Sequence, residues 1–262
     1  MIQSYDLYLP THLVFGKGRV SELGNLIKGY GKKVLLTYGG GSVKRIGLYD
    51  TVKKILTDAG CEIFELSGIA PNPKIESVRA GVEICKKEGI EFIVSIGGGS
   101  TLDCSKAISC GAFYDGDPWD LVIHNDRIGR HLPIFDVITL AATGSEYDGG
   151  GVITNEETKE KLSVGGCYPV ASILNPEYTF TVPANQTAAG ISVRLPSKIP
   201  QTLRPGAKCS PRRPLAAAGS LGLAARRPPG PATGLSMRFR PGTTLRMALV
   251  SRSSPRTGWR IR

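Results

Sequence analysis

The 262-residue sequence is long enough for one large domain or two smaller ones, and its net charge of +11 comes from one part of the chain only. Residues 1–190 carry 18 Lys and Arg against 22 Asp and Glu, whereas residues 191–262 carry 15 Lys and Arg and no acidic residue. The basic charge therefore does not indicate a nucleic-acid-binding fold, and the lack of an apolar run of roughly 18 residues excludes a transmembrane helix.

The cysteines and the N-terminal segment indicate a cytoplasmic protein. The six cysteines form no C-x-x-C pair and no zinc-type spacing, which is typical of reduced thiols in a cytosolic protein. The segment "MIQSYDLYLPTHLVFGKGRV" has no basic start followed by an apolar run. No signal peptide is therefore predicted.

Short apolar segments and amphipathic segments alternate from Lys32 onward. The pattern predicts strands at 32–38, 61–66, 91–96 and 132–141, and helices at 47–60, 75–89 and 100–112, the last opened by Ser100. After Gly151, "VITNEETKEKLSV" predicts a hairpin, and "TVPANQTAAG" predicts the start of another helix. This alternation predicts an α/β domain with an open parallel sheet.

The alternation stops at Gly190. Residues 191–262 hold ten of the 18 prolines and 13 arginines, with no sustained helical or strand period. Prolines break helices, and a high like charge with little apolar surface favours disorder. We therefore expect an α/β domain over residues 1–190 and a disordered, basic tail over residues 191–262.

Two "GGGS" segments, at 39–42 and 97–100, each follow a predicted strand. In open α/β sheets, ligands bind at the carboxyl ends of strands, where loop amides and helix N-termini hold phosphate. Neither segment has G-x-G-x-x-G or P-loop spacing, so each alone could be a tight turn. Two in one sheet favour phosphate binding, and "TLAATGSE" (139–146) adds hydroxyl donors after a third strand.

From about Tyr5 to Gly190 the sequence resembles the iron-containing (group III) alcohol dehydrogenases, in particular their NADPH-dependent butanol dehydrogenase branch. The resemblance rests on ordered motifs: "VFGKGRVSELG", "LLTYGGGSVKRIGLYD", "SIGGGSTLDCSKAI", "TLAATGSE", "VITNEETKEKL" and "NPEYTFTVP". It implies a Rossmann-like dinucleotide-binding domain, a C-terminal all-helical metal domain, and hydride transfer between NAD(P)H and an aldehyde or alcohol. Glycerol dehydrogenase and dehydroquinate synthase share this architecture and are alternatives, although "TLAATGSE" favours the butanol dehydrogenase branch.

The resemblance also implies which residues line the cofactor groove. It places Gly39, Gly40 and Ser42 at the adenosine ribose, and Gly97, Gly98 and Ser100 at the pyrophosphate, with Asp103 nearby. The rest of the groove is lined by Asn72, Thr139, Thr143, Ser145 and Lys161.

The residues around the first "GGGS" segment favour NADP(H) over NAD(H). An NAD site usually places a carboxylate after the first strand, where it would repel a 2′-phosphate. Residues 38–42 contain no acid, and Lys44 and Arg45 follow, which can form charge-assisted bonds to phosphate. The alternative is that these two cations are simply a solvated helix start.

The family resemblance implies a divalent metal, iron or zinc, that acts as a Lewis acid and is held by one Asp and three His. The first two ligands form a D-x-x-x-H on the helix that begins "AAG". In this sequence Val193 and Ser197 stand at those positions, and residues 191–262 contain no Asp, Glu or His. His12, His124 and His131 are interpreted as surface or structural histidines. The sequence therefore assigns neither a metal ligand nor a catalytic residue.

The simplest account of the change in composition is a shift of reading frame just after Ile191. The expected protein is then a butanol dehydrogenase-like enzyme for a primary alcohol and its aldehyde, impaired by the loss of its metal ligands. One alternative is a nonfunctional product that retains nucleotide binding. Another is nucleic-acid binding through the tail, against which its few aromatics argue. We expect uncovered apolar faces to cause self-association, with a homodimer as the candidate assembly.

Overall fold

The structure is a computed structural model that describes residues 8–140 and 142–182. Its strands are β1 (His12–Phe15), β2 (Lys33–Tyr38), β3 (Glu62–Leu66), β4 (Phe92–Gly97), β5 (Ile134–Ile138), β6 (Gly151–Asn155), β7 (Glu160–Val164) and β8 (Ala171–Leu174). Six of them form one parallel sheet in the order β1-β8-β5-β4-β2-β3, and β6 and β7 form a separate antiparallel hairpin. The predicted α/β class, parallel sheet and hairpin are confirmed.

Helices cover both faces of the sheet. They are α1 (Leu23–Leu26), α2 (Ser42–Arg45), α3 (Leu48–Asp58), α4 (Ile75–Glu88), α5 (Gly99–Gly111) and α6 (Pro118–Ile123). Short 3-10 turns lie at Arg19–Glu22, Asn125–Arg127 and Pro176–Thr181. The helices predicted at 47–60, 75–89 and 100–112 correspond to α3, α4 and α5, whereas α1, α2 and α6 were not predicted.

The central strands are mostly apolar because both of their faces are buried, and Thr37, Ser95 and Asp136 are buried polar exceptions. On β2, Leu35 packs into the core under α4 and α5, and its neighbour Leu36 packs into the core under α1 and α3. The same alternation places Ile93 and Val94 of β4 on opposite faces. Side chains of a strand point alternately to its two sides, so a strand covered on both sides carries no polar face.

Local signals explain where several helices begin and end. Helix α4 ends at Gly89, which has φ +67°, a left-handed conformation that glycine adopts at little cost. Helix α6 begins after Asp117, whose carboxylate accepts a hydrogen bond from Trp119 N at 2.8 Å. Pro118 occupies the first helical position. A backbone N–H there would have no acceptor within the helix, so proline is well tolerated.

Several expectations concern residues beyond the described ranges. All but the first two residues of the helix start predicted at 181–190, and the whole basic tail at 191–262, lie outside them. Within them, no helix combines the length and hydrophobicity that crossing a membrane requires. The five described cysteines are free thiols, four of them buried.

Candidate functional site

The candidate site lies at the carboxyl edge of the sheet, where β2, β4 and β5 are neighbours. Each strand runs into one loop, which we call the first (39–42), second (97–100) and third (139–146) loops. Thr139 N donates to Gly97 O at 2.8 Å and so joins the third loop to the second. Ligands of open α/β sheets bind at this edge, and a long ligand would meet the three loops in order.

The second loop brings the backbone close to any ligand at the start of α5. Gly97 has φ +156°, and a Cβ atom there would lie 2.7 Å from Thr101 Oγ1, so glycine is required. Gly98 precedes the first helical residue, Gly99, and has no side chain with which to cap the helix. Thr101 N already donates to Gly98 O at 3.0 Å, so the N–H groups of Gly99 and Ser100 are the ones left to bind an anion.

Ser100 does not open α5, so the prediction that it caps this helix is wrong. The helix begins one residue earlier, at Gly99, because the extended backbone of Gly98 leads β4 directly into the first turn. Ser100 Oγ instead accepts a hydrogen bond from Asn72 N at 3.4 Å. The hydroxyl nevertheless stays in the first turn, beside the N–H groups that are available to an anion.

Asn72 and Lys161 lie next to Ser100, although they are far apart in the sequence. Asn72 Oδ1 accepts a hydrogen bond from Lys161 Nζ at 2.6 Å. The hairpin that carries Lys161 is held against the turn of Asn72 by a bond from Thr154 N to Pro73 O at 2.9 Å. Three predicted site residues therefore form one polar cluster at the N-terminus of α5.

Asp103 and Ser145 also lie together, but their polar atoms bond within the protein. Ser145 Oγ donates to Asp103 Oδ1 at 2.7 Å, and Val152 N donates to Asp103 Oδ2 at 3.0 Å. Burial raises the pKa of Asp103, although both hydrogen bonds favour its charged form. The structure thus shows that these residues fasten the third loop and β6 to α5, while their contact with a cofactor stays a prediction.

No sequence motif assigns a role to Lys106, yet its side chain is 0% exposed and lies at the centre of this region. Its Nζ is within 3.0 Å of five oxygens, which belong to Ser145, Asp148 and Gly150. One signal could have found it: a lysine three residues after Asp103 shares the helix face of that residue, and these two are the only charged residues of α5.

Thr143 lies where a ligand at the second loop could reach it. It is exposed, and its Oγ1 would lie 3.4 Å from a Cβ atom placed on Gly99. The side chain of Thr143 therefore packs beside the start of α5. Thr139 is half-buried at the end of β5, with its N–H bonded to the second loop.

The first loop combines one packed glycine with one open glycine. Gly39 O accepts a hydrogen bond from Gly68 N at 3.0 Å, and a Cβ atom on Gly39 would lie 3.1 Å from Ile69 O. A Cβ atom on Gly40 would meet no heavy atom within 4 Å. Ser42 is exposed at the start of α2. The open space above Gly40 is where the ribose is predicted to lie.

A charged and aromatic cluster lies beside the first loop. Lys44 Nζ is 5.1 Å from the ring centroid of Tyr38 and 4.7 Å from that of Tyr49, which is cation–π distance. Glu65 on β3 accepts hydrogen bonds from three donors: Tyr38 Oη (2.7 Å), Tyr49 Oη (2.7 Å) and Lys53 Nζ (3.0 Å). Partial burial acts to raise the pKa of Glu65, but the three donors outweigh it and lower the pKa to about 2.

The described residues form no recognisable metal site. Within ranges 8–140 and 142–182, no group of three His, Cys, Asp or Glu side chains is arranged to hold a metal. His12, His124 and His131 occupy exposed positions, as expected for surface histidines. Val193 and Ser197, which stand at the expected ligand positions, lie outside the described residues.

Comparison with known proteins finds the same family along most of this region. Residues 10–176 match the family model described as iron-containing alcohol dehydrogenase. The chain is 51% identical over 189 residues to NADH-dependent butanol dehydrogenase A of Clostridium acetobutylicum, which covers 71% of this chain and 49% of that protein. It is 37% identical over 195 residues to NADPH-dependent aldehyde reductase YqhD of Escherichia coli, which covers 72% of this chain and 50% of that protein.

A solved structure shows the same architecture. NADH-dependent butanol dehydrogenase A from Thermotoga maritima superposes with a TM-score of 0.69 at 46% identity, over 72% of this chain and 48% of that one. The chain thus spans about half the length of the relatives it matches. The family match, the parallel sheet and the three loops at its carboxyl edge agree, and the chain belongs to the iron-containing alcohol dehydrogenase family.

Proposed function

We propose that the carboxyl edge of the sheet binds NADP(H) across the three loops. The observation that carries this proposal is the uncapped start of α5 between two other loops at the same edge. A dinucleotide has an anionic pyrophosphate at its centre, which would lie on the second loop. The adenosine would then lie at the first loop and the nicotinamide at the third.

The proposed reaction class is hydride transfer between the nicotinamide and a small primary alcohol or its aldehyde. Two relatives are named butanol dehydrogenase and aldehyde reductase, and both names specify a nicotinamide cofactor. The cofactor supplies the hydride chemistry, and the protein binds and orients it. We assign the described residues the cofactor-binding part of this activity, because they hold no group that fits a metal ion.

Charge beside the first loop supports NADP(H) over NAD(H). Lys44 and Arg45 provide positive charge that could bind a 2′-phosphate. Glu65 carries a negative charge on the neighbouring strand, but three donors already occupy its oxygens. The names of the relatives do not decide between NADP(H) and NAD(H). The butanol dehydrogenases at 48–51% identity are named NADH-dependent, and the aldehyde reductase is named NADPH-dependent.

Titration of the purified chain with NADPH and with NADH, followed by nicotinamide fluorescence, tests this proposal. We expect NADPH to bind about tenfold more tightly, a difference of about 1.4 kcal/mol. Lys44→Ala should weaken NADPH severalfold and leave NADH unchanged.

Lys54→Ala is the matched control, since Lys54 is an exposed lysine that pairs with Asp58 on α3. It should leave both affinities unchanged. Equal wild-type affinity for the two cofactors would overturn the NADP(H) preference. Failure to bind either cofactor would overturn the proposed function.

A further inference from the structure

Lys106 acts as an internal cation around which residues 145–150 are wrapped. Its side chain is 0% exposed, and its Nζ contacts three backbone carbonyl oxygens: those of Ser145 (2.7 Å), Asp148 (2.8 Å) and Gly150 (2.7 Å). Two side-chain oxygens complete the set, Ser145 Oγ at 2.9 Å and Asp148 Oδ1 at 3.0 Å. One ammonium group therefore organises the whole segment.

The conformation of residues 145–150 depends on this charge. Carbonyl oxygens that converge on one point repel one another unless a positive charge lies among them. A buried ammonium is in turn unfavourable unless such oxygens surround it. The carboxylate of Asp148, with its side chain 30% exposed, balances the charge from the outer side. Loss of the ammonium would therefore let the segment open.

Lys106 is connected through this segment to the residues around the third loop. Ser145 Oγ accepts a hydrogen bond from Lys106 and donates one to Asp103. Gly150 leads into β6, whose Val152 N also donates to Asp103. The paired strand β7 carries Lys161. Among the described residues, those of the first loop take no part in these contacts.

We propose that Lys106 is a positioning residue for the nicotinamide end of the cofactor. It does not reach the ligand itself, but it fixes the third loop and the hairpin against the start of α5. The proposal rests on the proposed function, since it requires a nicotinamide dinucleotide at the carboxyl edge. It predicts a loss of affinity only for ligands that extend to the third loop.

The test compares two ligands on the full 262-residue chain. NADPH spans all three loops, whereas adenosine 2′,5′-bisphosphate ends before the third. Lys106→Met retains the length of the side chain and removes its charge. We expect this variant to bind NADPH about tenfold more weakly and to change the Kd of the fragment by less than about twofold.

Asp148→Ala supplies a second variant in case the buried substitution prevents folding, because Asp148 is partly exposed. We expect the same selectivity, with NADPH weakened about threefold. Val78→Ala is the control for lost stability, since it removes methyl groups from the core under α4 and lies outside the contacts of Lys106. It should leave both affinities within about twofold.

The outcomes separate this proposal from the proposed function. If the wild-type chain binds neither ligand, the proposed function is wrong, and this inference falls with it. If the wild-type chain binds both, the inference is overturned when Lys106→Met and Asp148→Ala bind NADPH as the wild type does. It is also overturned when they lose affinity for both ligands equally, or when Val78→Ala shows the same selective loss.

Discussion

Ser172 lies between two buried acceptors, and its position implies that Asp136 carries a proton. The hydroxyl oxygen of Ser172 is within hydrogen-bond distance of Asp136 Oδ1 and of the backbone oxygen of Glu146. A serine hydroxyl has one proton, so it can donate to only one of them. The Asp136 carboxyl can supply the second proton. Burial agrees with this, because it raises the pKa of Asp136 well above its ordinary value; the Ser172 hydrogen bond and Lys106 act in the opposite direction, and the nearby Glu146 adds to the rise.

Asp136→Asn should therefore stabilise the protein at neutral pH. The unfolded chain ionises Asp136 above about pH 4, whereas the folded chain keeps it neutral, so its contribution to stability falls as the pH rises. Asparagine keeps one donor and one acceptor without that titration. We expect a gain of about 1–3 kcal/mol at pH 7 that disappears near pH 4, as measured by urea unfolding across this range. A gain that does not depend on pH would contradict the protonated state of Asp136.

Individual residues also show which roles the sequence can predict and which it cannot. The glycines of the second loop follow from a motif after a strand, and the family resemblance places Asn72 and Lys161 in the same groove. The roles of Lys106 and Glu65 do not, because each depends on partners from other elements that meet only in the folded chain. A buried lysine is uncommon enough that charge patterning alone assigns it to the surface.

The elements that sequence periodicity predicts best are those with a complete local signal. Helix α4 has an apolar face, lysines in its last turn and a terminal glycine. Strands β1 and β8 have no such signal, since each is four residues long and is stabilised mainly by the other strands of the sheet. Helix α6 could have been predicted, because Asp117 and Pro118 form a typical helix start.

The first and second loops should respond differently when a glycine is replaced by alanine. Gly40→Ala should leave stability unchanged, since the new Cβ would meet no atom within 4 Å, but it should weaken NADPH binding by occupying the space above the first loop. Gly97→Ala should lower stability by about 1–3 kcal/mol, because its φ and the nearby Thr101 both oppose a side chain. Thermal unfolding and NADPH titration measure the two effects. Unchanged NADPH affinity in Gly40→Ala would argue against a cofactor at the first loop.

Across the whole sequence, charge divides the chain into two parts. The first 190 residues have a net charge of −4 and include both "GGGS" segments, whereas the remaining residues have a net charge of +15. The expected metal ligands belong to the second of these segments in the family pattern, and the residues at those positions are Val193 and Ser197. We therefore expect this chain to bind the cofactor without binding the metal ion.

We expect the purified chain to show no alcohol-dependent reduction of NADP⁺, even when Fe²⁺ or Zn²⁺ is added. Residues 191–262 contain no Asp, Glu or His that could hold the ion. The measurement is the absorbance of reduced nicotinamide in the presence of butanol, with NADP⁺ and NAD⁺ in separate reactions. Butanol dehydrogenase A of Clostridium acetobutylicum, which is named as NADH-dependent, is the positive control with NAD⁺. Turnover that depends on the added metal would contradict this expectation.

The strand order has a consequence for how the protein is made. While the chain is being synthesised, β2, β3, β4 and β5 can pair with one another as they appear, but β1 has no partner until β8 has emerged. Until then the nascent sheet presents β5 as an open edge, which is prone to aggregation. Because β8 is complete at Leu174, the strand that covers this edge emerges before the arginine-rich segment does.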